Sequence, residues 1–455
     1  MCNIVEKSKF RKGQIYASKN SLPHREQTYF VSMRGSYDAS GKSQNDPWNL
    51  ERFYKEMENI PALSNVLFER GNIFRLNKGI NLVSQVSYGA YGTGSKPVLC
   101  GSLKNYADEK WNFVSEGIWS VDLHRENAGI LVSDGGEKMG LRRLSLDELE
   151  YDLDFYHDIE KGILYLYSPE KSPEGFNSIE IGVCINLFNM YKKNTIAIDN
   201  LNFQLTGRHG IASAFCENIT VTNCEFGWIG GSSDGNGVTR LGNAVEFYGS
   251  GKNLLVENCF IDQIFDAGLT FQVTGIGEFS DITFRNNLIE NCAYSIEFFN
   301  VDMKHHTGFY KNILIEDNLL MYAGYGLATR AGHREWWVAV SHINGWKDGV
   351  EPTENFVIRN NTLYCSITNL VYWKHYYNQT QNVSVYGNSF YQTGTPDFAR
   401  DVSKYHALTV DTSIDFGAIE HPHSTECLRV AKDQRTFAEA VSFFDPSPKE
   451  VLWLD

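Results

Sequence analysis

Glu246, Asp266 and Glu297 are the side chains whose type and spacing could do chemistry. Glycoside hydrolysis needs two carboxyl groups flanking the scissile bond: one protonates the leaving oxygen, and the other activates water or attacks the sugar. Glu246 and Glu297 hold the same position in two similar short segments, 243–248 and 294–299, and a third such segment, 267–272, lies between them. If these are stacked strands, each step is about 4.8 Å, and two steps put the carboxylates about 9–10 Å apart at the backbone. Side chains can narrow that gap to the roughly 6.5–9.5 Å of an inverting pair. Asp266 opens the intervening segment, one step from either Glu, which would suit the shorter separation of a retaining mechanism. Asp266 and Glu246 are the preferred candidates. The plainer alternative is a solvated sheet face, or carboxylates that pair with Arg330 and Lys374.

A second chemistry uses neighbouring residues. Elimination from a uronic sugar needs a base and a cation or other group that holds the carboxylate. Arg330 and Lys374 fall in one row beside the carboxylates, together with Tyr248, Gln272 and Phe299; Tyr372 follows in the carboxylate row. His305, His306 and His333 are expected on loops beside that strip, although a lone loop histidine is more often simply exposed. Trp336 and Trp337 could stack on sugar faces, whereas Trp373 is expected inward. Calcium could take oxygens from Asp234, Glu246, Asp266 and Glu297. The spacing matches no recognised metal loop, so no metal or cofactor is assigned.

These positions have meaning only if something stacks them. From about 194 to 392 one pattern recurs: a short β-branched strand, then Asn or a close substitute. The strands begin at Ile196, Ile219, Leu254, Ile282, Ile313, Phe356 and Val383, at spacings of 23, 35, 28, 31, 43 and 27 residues. A fixed motif at a loose period of this size marks a solenoid. Apolar and polar residues alternate within the motifs, so the repeating unit is a strand. Asn287, Asn318, Asn361 and Asn388 align just after the strands, as do Cys224 and Cys259, and such columns should bond or pack along the axis. The sequons at Asn218, Asn360, Asn378 and Asn382 are read as accidents of Asn-rich turns. A second strand per coil is expected at 243–248, 267–272, 294–299, 325–330 and 369–374. There Val245, Leu269, Ile296, Leu327 and Val371 point inward, and Glu246, Thr270, Glu297, Ala328 and Tyr372 point outward. Insertions at 227–241 and 331–351 adjoin this strand and could wall its outer face.

Composition narrows the partners. The net charge of −14, with no basic stripe, argues against nucleic acid. No apolar run is long enough for a transmembrane helix. With 9 Trp, 24 Tyr and 28 Phe, flat rings are plentiful for sugar faces, though most aromatics should fill the core. Nine cysteines with no CxxC pair suggest neither a zinc site nor a full disulfide framework. The polar N-terminus lacks the apolar stretch of a secretion signal, and the compartment is left unassigned.

The flanks divide the chain. Residues 1–28 read as a polar tail, and 29–103 as an N-terminal cap with the first coils. That cap includes a helix with Asp46 as N-cap and Pro47 in its first turn. Residues 104–190 read as a β-rich insertion, 191–400 as coils carrying the candidate face, and 401–455 as a C-terminal cap with a short helix near 436–444.

The segments 29–32, 47–48 and 68–75, then 88–98, 164–169, 228–231, 242–247 and 266–270, resemble bacterial right-handed parallel β-helix proteins of the pectate-lyase-like superfamily. The likeness covers roughly 29–392. It implies an all-β fold, a right-handed parallel β-helix solenoid, and carbohydrate chemistry of the glycoside hydrolase or polysaccharide lyase type. The calcium-binding Asp pattern and R-x-P-x-x-R segment of true pectate lyases are absent, as is the paired-Asp motif of polygalacturonases. The leading expectation is a glycoside hydrolase acting on a polysaccharide or oligosaccharide through Glu246, Asp266 and Glu297, with Arg330 and His333 holding substrate. The alternatives are a lyase or uronate epimerase, and a glycan-binding β-helix without activity.

Overall fold

The computed structural model describes residues 4–124, 127–233, 241–273, 277–300, 309–330, 338–344, 353–366, 369–375, 382–391 and 408–410. Of these, the side chains of 5, 300, 329, 330, 342–344, 369, 373–375, 391 and 408–410 lie outside the description.

The strands stack in parallel into three faces, and the chain visits each face once per coil. All seven motif strands share one face, here called the second. Its register runs Ile196, Ile219, Leu254, Ile282, Ile313, Phe356, Val383 from coil to coil. The third face follows each motif: Asn202–Thr206, Glu225–Ile229, and then the starts of Phe260–Val273 and Leu288–Asn300. The first face carries Phe188–Tyr191, 211–214, 245–248, 269–272, 296–299, Val338–Asn344 and Asn369–His375. Inward residues of all three faces form one apolar core, including Val245, Phe247, Leu269, Phe271, Ile296 and Phe298. Aromatic rings pack from coil to coil inside it, with Phe203 stacked on Phe226 at 4.8 Å.

The Asn signal has a backbone cause. Asn200, Asn223, Asn258, Asn286, Asp317, Asn360 and Gly387 all have φ between 53° and 67° at the corner joining the second face to the third. Only Gly, and to a lesser extent Asn and Asp, enter this left-handed region without a large steric cost. The next residue turns inward and forms the ladder. Asn287 N–H and Nδ2 both donate to Asn318 Oδ1 at 3.0 Å. Asn318 repeats this toward Asn361, and Asn361 toward Asn388. Each amide also donates to the main chain, Asn318 Nδ2 to Phe284 O at 2.9 Å. Cys224 and Cys259 occupy the same column and are buried, which pushes the Cys224 thiol well up.

Two expectations need correction. The segment 325–330 is not a strand: Leu327–Arg330 is a single helical turn packed outside the coil, with Leu327 N–H donating to Gln263 Oε1 at 2.9 Å. Gly324 and Gly326, both with positive φ, turn the chain off the rung. The rung is filled instead by Val338–Asn344, so Val340, Ser341 and Ile343 take the places assigned to Leu327, Ala328 and Arg330. The cap helix begins later than expected, at Leu50–Glu56, with Asn49 as N-cap accepting from Arg52 N–H. Asp46 is spent on Ser40, whose N–H and Oγ both donate to it. The helix still covers the coil end, and fully buried Phe53 meets Phe68 edge-on at 5.4 Å.

The polar N-terminal segment forms the helix Ile4–Tyr16, laid across the third face. Arg11 donates to the carbonyls of Asn287 and Asp317, and Ile4 and Ile15 are buried beside Phe260 and Leu288. Within 104–190 the strands form a four-stranded and a three-stranded antiparallel sheet around a separate core. Its Asn127 and Arg142 bond to Ser233 of the coil. The C-terminal helix expected near 436–444 lies outside the described residues.

Removing one rung of the ladder tests its worth. Asn318→Ala strands the Asn287 N–H and should cost about 2–4 kcal/mol in denaturant unfolding, since each buried group left unpaired costs about 1–3 kcal/mol. A loss below about 0.5 kcal/mol would mean that the amide column carries no stability.

Candidate active site on the first face

The first face positions the candidate residues through register alone. Ala212, Glu246, Thr270, Glu297, Ser341 and Tyr372 are successive partners in one outward column. The residues flanking each carboxylate, Val245 and Phe247 or Ile296 and Phe298, sit in the core, so Glu246 and Glu297 both face away from it. Two rungs of about 4.8 Å separate them at the backbone. The next column in register but one holds Tyr248, Gln272, Phe299, Ile343 and Lys374.

The two carboxylates are held differently. Glu297 is only 6% exposed although it points outward, and its Oε2 accepts from Thr270 Oγ1 at 3.1 Å and Gln272 Nε2 at 3.5 Å. The Glu246 side chain is 17% exposed. Its Oε2 accepts from Asn243 Nδ2 at 2.7 Å and lies 3.7 Å from His209 Nε2.

His209 and Asn243 form the corner that supports Glu246. Asn243 N–H donates to His209 Nδ1 at 3.0 Å, and Asn243 Oδ1 accepts from Ala267 N–H at 2.9 Å. An Nδ1 that accepts leaves the proton of a neutral imidazole on Nε2, facing Glu246. Burial pushes the His209 pKa below its usual value and outweighs the opposing pull of Glu246 and Asp266. Asp266 is half-buried where the chain enters the next rung, its N–H donating to Gly242 O at 3.1 Å. Glu246 and Asp266 therefore both act on His209. Sequence reasoning did not find this contact. The available signal was an offset: His209 precedes Ala212 by three residues as Asn243 precedes Glu246, and Ala212 and Glu246 are partners.

The remaining candidates are less gathered. Gln272 reaches Glu297, and Tyr372 ends the described column at 9% exposure. Lys374 has the expected register, while its side chain lies outside the description. Arg330 sits in the helical turn, off the strip, and its side chain is likewise not described. His305, His306, His333, Trp336, Trp337 and Asp234 lie outside the described residues, as does the Trp373 side chain. Among the described residues, no group of three or more acidic, His or Cys side chains is arranged to hold a metal. No helix among them is long and apolar enough to cross a membrane.

The lowered His209 pKa has a sign. The unfolded chain takes up a proton near pH 6.5 that the native state refuses, so stability is complete above that pH and falls as pH drops toward the lowered native value. His157, also lowered by burial, adds to the same window. His209→Gln should therefore flatten the acid side of the stability–pH curve by up to about 1.4 kcal/mol per pH unit. Superimposable slopes for parent and variant would show that His209 is not held neutral.

Comparison with known proteins bears on the fold. No curated protein matches the sequence. Among solved structures, one of XylC with xylose is 10% identical, covering 86% of this chain and 68% of that one, with a TM-score of 0.44. An exopolygalacturonase from Thermotoga maritima is 12% identical, covering 85% of each chain, with a TM-score of 0.41. A lacto-N-biosidase from Eubacterium ramulus is 12% identical, covering 87% of this chain and 68% of that one, at 0.38. At such identities and scores these likenesses do not bear on reaction or substrate. Residues 177–335 match the family model described as a right handed beta helix region, and the stacked parallel faces through and beyond that span make this chain a right-handed parallel β-helix.

Proposed function

We propose that the protein hydrolyses glycosidic bonds of a polysaccharide or oligosaccharide bound along the first face, with Glu246 and Glu297 as the reacting pair. The observation that carries this reading is the shared outward column: two carboxylates two rungs apart, with only the small Thr270 between them. Like charges brought to one strip need a reason, because each must be held ionised or protonated by its own surroundings. The separation leaves room for a water molecule between a carboxylate and the sugar, as inversion requires. In this reading Glu246, supplied with the Asn243 amide donor and faced by the His209 N–H, is the base toward water. Glu297 protonates the leaving oxygen. Asp266, acting on the same His209, steadies that corner. The resemblance of the sequence segments to carbohydrate-active β-helix proteins points the same way.

Elimination is less well served by this strip. Of the two cations expected there, Arg330 belongs to a helical turn outside the rung. A glycan-binding role without chemistry would leave the carboxylate pair without a task.

A panel of neutral and acidic glycans, digested and read by mass spectrometry, identifies the substrate. On it Glu246→Gln and Glu297→Gln should each lower turnover by about 10²–10⁴-fold, as removal of an acid or base does, while parent and variants unfold at similar denaturant concentrations. The parent should release reducing ends without an ultraviolet-absorbing unsaturated sugar. Full turnover in both variants, or an unsaturated product, would overturn the proposal.

A further inference from the structure

A cavity of about 780 Å³ opens where the β-rich insertion meets the coils, at one end of the carboxylate column. Arg208 and Asn189 line it from the coils, Lys78 from an earlier turn, and His124, Ile159 and Glu160 from the insertion. Its position relative to the strip is fixed by register. Asn189 pairs with Ala212, and Ala212 with Glu246, so the cavity adjoins the outward column two rungs before Glu246. A glycan lying along the first face would run into it.

The lining favours an anion. Arg208 and Lys78 provide two cations against the single carboxylate of Glu160, on a chain whose net charge is −14. Among the described residues Arg208 makes no ion pair or hydrogen bond, and its Nε is buried without a partner. A buried donor left unsatisfied is costly, and a guanidinium matches the oxygens of a carboxylate or sulfate in pairs. The Asn186 amide is already engaged: its Nδ2 donates to Asn189 Oδ1 at 2.8 Å, and its Oδ1 accepts from His209 N–H at 3.3 Å. On the insertion side His124 packs directly over Gly162, where an added Cβ would lie 2.1 Å from His124 Nδ1.

We infer that this cavity is a terminal subsite that seats the acidic group of a sugar residue, a uronate carboxylate or a sulfate ester, on Arg208. The rest of the glycan then lies along the first face toward Glu246 and Glu297, a part of the inference that rests on the hydrolase reading. A subsite walled on the far side by the insertion selects chain ends over chain interiors.

Binding of monosaccharides tests the subsite without turnover. Glucuronate, galacturonate and glucose 6-sulfate are titrated into the full chain by calorimetry beside glucose and galactose. At least one acidic sugar should bind tenfold or more tightly than its neutral counterpart, and which one does so separates carboxylate from sulfate. Arg208→Gln should erase the preference. Ile159→Trp, which fills the cavity from the insertion side, should weaken the acidic sugar at least tenfold with Arg208 intact. No acidic preference in the parent, or the same preference in Arg208→Gln, overturns the inference. The two readings fail separately. Acidic-sugar binding that depends on Arg208, in a protein that cleaves no glycan, supports the subsite and removes the hydrolase. Cleavage of a glycan with no acidic preference does the reverse.

Discussion

Everything in this molecule depends on the register between parallel rungs. A parallel rung spacing of about 4.8 Å converts sequence distances of tens of residues into contact. Glu246 and Glu297 are 51 residues apart in the chain and two rungs apart on one face. A slip of one residue would turn the whole outward column into the core. The register is pinned at the corners. Left-handed Asn, Asp or Gly residues end the motif strands, and the buried amide ladder ties successive coils through both backbone and side chain. Stability and the placement of chemistry are therefore one problem, since the bonds that hold the coils also align the carboxylates.

The first face adds a second constraint. An outward carboxylate with little exposure must be given donors, and here each has its own: Thr270 and Gln272 for Glu297, Asn243 for Glu246. The corner pair His209 and Asn243 sits one rung apart in equivalent positions, so the same stacking that builds the core also builds the support behind Glu246. The insertion interrupts the coils just before this strip and bonds back to the coil at Ser233 through Asn127 and Arg142. It thereby supplies the wall that the bare solenoid lacks.

The solenoid was legible because its signals are local and repeated. A β-branched strand followed by Asn reports strand, turn and inward side chain at once, and the seven copies stack as their alignment implies. The outward column was legible wherever the second strand kept its length, as at Glu246, Thr270, Glu297 and Tyr372. It failed at 325–330, where Tyr325, Gly326 and Leu327 imitate the pattern while the glycines turn the chain outward; the true strand was hidden inside what read as an insertion. The helix Ile4–Tyr16 was not legible, because its polar sequence is satisfied by bonds to distant carbonyls and side chains rather than by an apolar stripe. The contact between His209 and Glu246, and an Arg208 without a partner among the described residues, depend on three-dimensional closeness, which no single segment announces.

The central claim is that Glu246 and Glu297 act on one glycosidic bond from two rungs apart. The stereochemistry of the freshly released sugar reports that geometry directly. Proton NMR during the first turnovers should show the anomer opposite to that of the substrate, because two rungs leave room for water to attack from the far side. A product that first appears with the anomeric configuration of the substrate would require carboxyl groups about 5–5.5 Å apart, and would contradict the pairing.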